Sequence, residues 1–378
     1  MVVLLHRRNM KPLQQFYFNM QMFLFPAMEE EIGKLTAKMR EFVMLVELLK
    51  PGRFIPDALP GGVLGRPRRS RERLLRAFLL KAVYNFPTTD MLVENLRTSP
   101  RLRRLCGRDF ACEIPSRATF RRAFGEFAAA GLGERLHEAM VAENYKDKIV
   151  GHASHDSTEI DGRERACRRK APKSPAKRKR GRPRKAEKTS SAVADNKGKR
   201  VELQPQRTLA ENLADLPRGC DRGGRRDSKG KTNCWPGCKL HLTVADGGVP
   251  VAAVMTSASP HDSQAAIPLM QMNRENTFAS LYNVMDAAYD AKTIADFSAS
   301  LGQVAIIDPN RRNGRARELE PARKAHYKCR TAVERVNSEL KDAHGARYVM
   351  VRGAAKVFTH LMLGVVIVTA RHLLELLC

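Results

Sequence analysis

Acidic side chains are scarce here: 40 Asp and Glu stand against 67 Lys and Arg, for a formal net charge of +27 over 378 residues. Such a surplus works against folding, because like charges repel in the compact state. It suits a polyanionic partner, most simply nucleic acid. A basic membrane-surface protein is the other reading, but no amphipathic basic helix joined to a lipid signal is present. Aromatic residues are also few, at 6%, with a single tryptophan. The eight cysteines lack the regular spacing of a disulfide framework, so they read as reduced thiols of a cytosolic protein. No internal repeat is found.

Uninterrupted apolar runs are missing too. Residues 16–28 follow Arg7, Arg8 and Lys11 and imitate an export signal, but Gln14, Gln15, Asn19 and Gln21 break the pattern and no small-residue cleavage site follows. Translation from Met20, Met22 or Met28 is an alternative. Residues 357–377 approach membrane length, yet contain His360, Arg371, His372 and Glu375, which reads as a buried packing helix and not a span.

What is present is enough chain for two or three domains. Residues 1–50 read as a leader and a helix over 29–49, ended by Pro51-Gly52. Residues 51–145 read as a helical, DNA-binding domain. Ser70 caps a helix over 71–86, Thr89 caps 90–96, and Pro115-Ser116 opens 117–129. There Phe120, Phe124 and Phe127 share one face while Arg117, Arg121 and Arg122 lie elsewhere. This is either a helix-turn-helix reader or a bundle with a solvated basic side. Residues 146–378 read as a mixed α/β unit. A strand over 148–160 carries Asp156 near its end, and a hairpin turns at Asp246-Gly247-Gly248. Then come a helix (262–273), a strand (283–286) ending at Asp286, a helix (291–301), a strand (303–307) and helices over 322–344 and 355–377. The insertion 161–232 has few apolar residues. Within it, residues 168–185 hold eleven Lys or Arg and no acid, a composition that reads as disordered.

One stretch carries the most chemistry. Tyr327, Arg330, Glu334 and Lys341 are separated by 3, 4 and 7 residues, which puts them on one face of a helix. A carboxylate flanked by cations and a tyrosine on one face suits metal and phosphate, the chemistry of cutting and joining DNA. Plain ion pairing with Glu334 is the competing account of Arg330 and Lys341. Asp156 and Asp286, each alone, fit a turn or cap equally well. Together with Glu334, converging at adjacent strand ends, they would form a set of oxygen ligands for two Mg²⁺ ions.

At these residues the chain resembles DDE transposases of bacterial insertion sequences, close to the group named after insertion sequences 4 and 5. Tyr327-x2-Arg330-x3-Glu334-x6-Lys341 matches that group's signature at all four positions. Asp156-Ser157-Thr158 and Asp286-Ala287-Ala288-Tyr289-Asp290 are similar to its first two catalytic blocks, although a Gly often precedes that Tyr. Gly237 to Leu242 is similar to the strand between them, with Cys238 where an aromatic is usual. Residues 70–145 resemble the family's N-terminal domain. The likeness covers about residues 30–375.

The resemblance implies an RNase H-like catalytic core and Mg²⁺ or Mn²⁺, two ions held by Asp156, Asp286 and Glu334. Tyr327, Arg330 and Lys341 would hold phosphates. Double-stranded DNA, at transposon ends and target, would be the partner, bound by a homodimer on the bacterial nucleoid. A transposase-derived DNA-binding protein without catalysis, or a nuclease on the same core, is the rival. Arg180, Arg182 and Arg184 lie in an Arg-Gly-Arg-Pro run that resembles an AT-hook, a thin strip for the minor groove; a non-specific phosphate-binding tail is the equal alternative. Trp235 is either a core or hinge residue or a ring to stack on an extruded base. Cys220, Cys234, Cys238 and His241 are too irregularly spaced to suggest zinc, and His155 points to the other face of its strand from Asp156.

Overall fold

The computed structural model describes residues 12–55, 68–167, 199–226, 230–275, 279–310 and 318–376. Helix α1 (Pro12–Asn19), a π-turn (Met20–Leu24) and α2 (Phe25–Ile32) come first. The single helix expected over 29–49 is broken at Gly33, whose φ is +77°, a left-handed conformation open to glycine. The chain restarts as α3 (Ala37–Leu49), where the Thr36 hydroxyl accepts from the Met39 amide at 3.3 Å. Met20 and Phe25, from the signal-like run, are buried in the helical core.

Helix α4 (Arg71–Val83) starts at Ser70, whose hydroxyl accepts from the Arg73 amide at 3.3 Å. The next cap is Thr88 and not Thr89: Thr88 accepts from Met91 at 3.1 Å, and α5 runs Thr89–Thr98. Helices α6 (Pro100–Leu105), α7 (Arg117–Ala129) and α8 (Leu132–Tyr145) follow. Phe120, Phe124 and Phe127 of α7 close around Phe78 of α4, with centroids 5.8, 4.8 and 6.2 Å away. Aromatic contacts of this kind add stability beyond area burial.

The second half begins with β1 (Ile149–Gly162), α9 (Arg200–Leu203), α10 (Leu209–Asp215), β2 (Asp221–Arg226), β3 (Thr232–Ala245) and β4 (Pro250–Ser257). It continues through α11 (Ser263–Glu275), β5 (Ala279–Met285), α12 (Lys292–Ser300), β6 (Val304–Ile307), α13 (Pro321–Tyr327), α14 (Thr331–Ala343), β7 (Tyr348–Val349) and α15 (Ala354–Glu375). The seven strands form one sheet in the order β2-β3-β1-β5-β6, with β4 on β3 and β7 on β1. The β1, β3 and β4 pairings are antiparallel; β1–β5 and β5–β6 are parallel. Helices cover both faces, the arrangement of an RNase H-like core. Ile160, Leu240 and Leu242 pack under Val333, Val336 and Leu340 of α14 and under α15. On the opposite face Ala252 and Val254 meet Ala265 and Leu269 of α11. Strand alternation assigns these sides.

Two expectations are corrected. Asp156 lies mid-strand, because backbone pairing with β3 carries β1 on to Gly162. The insertion 161–232 is not uniformly without structure: residues 199–226 hold α9, α10 and β2. The run 168–185 lies outside the described residues. Helix α15 is long and apolar enough to cross a membrane by length and composition, but 83% of its most apolar window is buried inside the protein, so it serves as a packing helix here.

Candidate active site

The pocket exists because β1 is longer than β5 and β7, which share one of its edges. On one side β3 pairs with it from Ala153 to Asp161. On the other, β5 pairs only as far as Ser154, and β7 begins at Asp161. Among the described strands none covers the edge between. Ser154 is level with Val284 in the parallel ladder, so Asp156 and Asp286, each two residues further on, stand side by side where β5 stops. Ligands gather at such strand ends in open sheets.

Helix α14 delivers the third acid. Val333, Val336 and Leu340 pack down on the sheet, which leaves Arg330, Glu334 and Asn337 at the open edge. The uninterrupted helix expected over 322–344 is in fact α13, a 3₁₀ turn (Lys328–Arg330) and α14. The 3₁₀ turn changes the angular spacing between Tyr327 and Glu334. Arg330 then sits among the acids. Its Nη2 donates to Asp156 Oδ1 at 3.1 Å and lies 3.8 Å from Asp286 Oδ2, while Nη1 donates to Glu334 Oε1 at 2.5 Å. Both aspartate oxygens lie on one nitrogen atom, so they are at most about 7 Å apart, the two distances end to end. Asn337 Nδ2 donates to Asp156 Oδ2 at 3.1 Å, and the Ala288 amide donates to Asp286 Oδ1 at 2.9 Å.

Burial sets the electrostatics. It pushes Asp156 up to about 6 against the pull of Arg330, with Asp286 adding to the rise. Asp286 is raised as well, again chiefly by burial. Burial alone would lower Arg330, but Asp156, Tyr327, Asp286 and Glu334 outweigh it and hold the guanidinium charged. Tyr327 is half-buried, and burial raises its phenol. Lys341 reaches Glu159 at 3.4 Å, one helical stretch away from the three acids.

Several residues here were not anticipated. The cavity around the acids, about 410 Å³, is also lined by Glu159, Arg225, Lys239, Asp262 and Asn337. Asn337 follows Glu334 by three and Arg330 by seven, so helical spacing alone could have flagged it. Trp235 borders this cavity and a larger one of about 1000 Å³ that contains none of the three acids. His155 is buried on the opposite side, between Asn283 and Thr243. Arg117 pairs with Asp90 of α5 at 3.0 Å, and Arg121 is exposed on the helical half, so neither approaches the pocket. Arg180, Arg182 and Arg184 lie outside the described residues. Cys238 is buried, Cys234 exposed, and His241 bonds to Thr256.

Residues 154–369, more than half of the chain, match the family described as "Transposase DDE domain". The chain belongs to the DDE transposase family. Residues 32–126 of the transposase match "Transposase domain (DUF772)", which spans α3 to most of α7. No curated protein and no solved structure matches the chain. The family uses divalent metal. The donor chemistry suits it: three carboxylates, all hard oxygen donors, already contact one cation. Among the described residues no three His, Cys, Asp or Glu side chains enclose a single ion as they stand, since the Arg330 guanidinium lies between Glu334 and the two aspartates. A metal would therefore compete with Arg330 for the same oxygens.

Proposed function

We propose that this transposase belongs to the group named after insertion sequences 4 and 5, binds the ends of its own element, and cuts and rejoins DNA with Mg²⁺ or Mn²⁺. The observation that carries this reading is the meeting of Asp156, Asp286 and Glu334 on a single guanidinium. These acids would be the metal ligands, two from adjacent strands and one from α14. When bound, two divalent ions supply charge neutralisation at the scissile phosphate and ease deprotonation of the attacking oxygen.

The chain's own residues do the positioning. Asn337 fixes the carboxylate plane of Asp156. Asp156 must be ionised to act as a ligand; in the metal-free protein burial opposes this by raising its carboxyl, and a bound divalent ion would favour the ionised form. Arg330, released from the acids, offers a planar fork that matches a phosphate. Tyr327 and Lys341 hold phosphates on either side along the same helical edge. The helical half, residues 51–145 with Arg117 and Arg121, and the run with Arg180, Arg182 and Arg184 hold duplex DNA. Two ends must be brought together, which calls for a dimer on DNA.

The test is to incubate the full chain with a plasmid carrying the repeats that flank its own reading frame, with Mg²⁺, and to map every broken and newly joined strand. Cleavage plus strand-transfer products support the reading. Cleavage without joining makes it a nuclease, and metal-independent binding alone makes it a non-catalytic relative. Undiminished cleavage by Glu334→Gln removes the third ligand from the account.

A further inference from the structure

The three acids and Arg330 account for one wall of the 410 Å³ cavity. Two further cations line the cavity: Arg225, exposed and 3.5 Å from Glu159, and Lys239, which is nearly buried. The cross-strand partner of Lys239 is Glu159, while its neighbours Cys238 and Leu240 point toward α14 and α15. Alternation therefore turns Lys239 to the α11 side, across the open edge of β1 from Arg330. The ammonium is held by Asp262 Oδ1 at 2.8 Å and by the Pro260 carbonyl at 3.0 Å. Both partners belong to the short link between β4 and α11. The Lys239 and Asp262 side chains are 15% and 21% exposed, so this is a seated pair and not two surface groups in passing contact. A lysine carries three N–H donors, and these two contacts use two of them.

An ion pair serving only to tie β3 to the β4–α11 link would have no need to border the pocket. This one does, together with Asp156, Asp286 and Glu334. Asp262 borders the same cavity and balances the Lys239 charge, so what the pair offers a phosphodiester entering there is a fixed N–H donor, the third on the ammonium. We propose that Lys239, braced by Asp262, is a phosphate-binding residue of this pocket. It donates to a non-bridging oxygen of the scissile or adjoining phosphate from the sheet face opposite Arg330. Asp262 is a positioning residue that acts through Lys239. The inference rests on the reading of the pocket as the site of DNA cleavage.

The experiment uses the full chain and a duplex carrying its flanking repeats. Binding is followed by fluorescence anisotropy over a range of salt concentrations, and single-turnover cleavage is followed with Mg²⁺. Each phosphate contact contributes about 0.9 to the slope of log affinity against log salt. Lys239→Met should flatten that slope by about one contact and slow cleavage on the order of 10²-fold at saturating DNA, as loss of a fixed charge-stabilising donor does. Lys239→Arg should restore the slope. A purely structural pair would lower the melting temperature and leave the slope unchanged. If Lys239→Met does not fold, the double variant Lys239→Met/Asp262→Leu, which replaces the pair with apolar groups, is read in its place. A folded variant with the wild-type slope and rate overturns the proposal. Should the wild type itself neither bind nor cut this DNA, the reading of the pocket fails first. Should the wild type cut and the variant cut equally well, only the role of Lys239 falls.

Discussion

Replacing Asp156 by Asn should make the metal-free protein more stable at pH 8. Asp156 is raised from 3.8 to about 6 by burial, net of the attraction of Arg330. About two units, at ~1.4 kcal/mol each, mean that holding this carboxylate ionised costs on the order of 3 kcal/mol of stability. The sign follows from the shift. A carboxyl raised in the folded state costs stability above its folded pKa, and the cost is relieved as pH falls through about 6 and is gone below the unfolded value near 4. Asparagine carries no charge, so it escapes the cost. It does not fit perfectly, because Asp156 accepts from both Arg330 and Asn337. An amide offers one oxygen and one NH₂, so one of those donors loses its acceptor, at about 1 kcal/mol. The net gain is about 2 kcal/mol at pH 8, a rise of a few degrees in melting temperature; it falls with pH and turns into a loss of up to about 1 kcal/mol below pH 4, where only the unmet donor is left. Thermal unfolding in EDTA at both pH values measures it. A less stable variant at pH 8 would mean that the pull of Arg330 outweighs burial, and would refute the electrostatic account of the pocket.

Asn337→Ala removes a donor to the ionised form of Asp156. In the metal-free protein the Asp156 carboxyl should then titrate higher, so the variant should lose more stability in EDTA at pH 8 than at pH 4, whereas a purely structural loss would lower the melting temperature equally at both. Gly237→Ala should prevent folding of the sheet, because a Cβ there would lie 1.9 Å from the Ile160 carbonyl oxygen, and β1 and β3 could no longer pair at that level. Soluble yield and far-ultraviolet circular dichroism report it; a stable, native-like variant would show that the ladder has more slack than the structure allows.

Legibility in the sequence followed the range of the interaction. The face shared by Arg330 and Glu334 is local, set by helical spacing, and it is present although a 3₁₀ turn interrupts the helix just before. Asp286 at a strand end was readable because β5 is a short apolar run closed by the acid. Its neighbour Asp156, expected near the end of β1, lies mid-strand, since the strand's length is fixed by pairing with β3, which no pattern within residues 148–160 reports. Strand β2 leaves no signal in the sequence, because Asp-Arg-Gly-Gly-Arg-Arg has no alternation. Its Gly223 makes room for the Trp235 ring, which a Cβ would meet at 2.5 Å. The Lys239–Asp262 pair spans 23 residues and a hairpin, so only the folded chain brings it together. Arg330 was expected to hold phosphate. Its contact with all three acids could not be read from spacing, because it depends on strand register and helix docking at once.

The central claim is that Asp156, Asp286 and Glu334 act as one metal-binding set. Titration of the full chain with Mn²⁺, followed by electron paramagnetic resonance with and without duplex DNA, tests it directly. The account predicts Mn²⁺ bound by the wild type, and affinity lost by ten-fold or more in each of Asp156→Asn, Asp286→Asn and Glu334→Gln. Equal binding by the wild type and all three variants would contradict it.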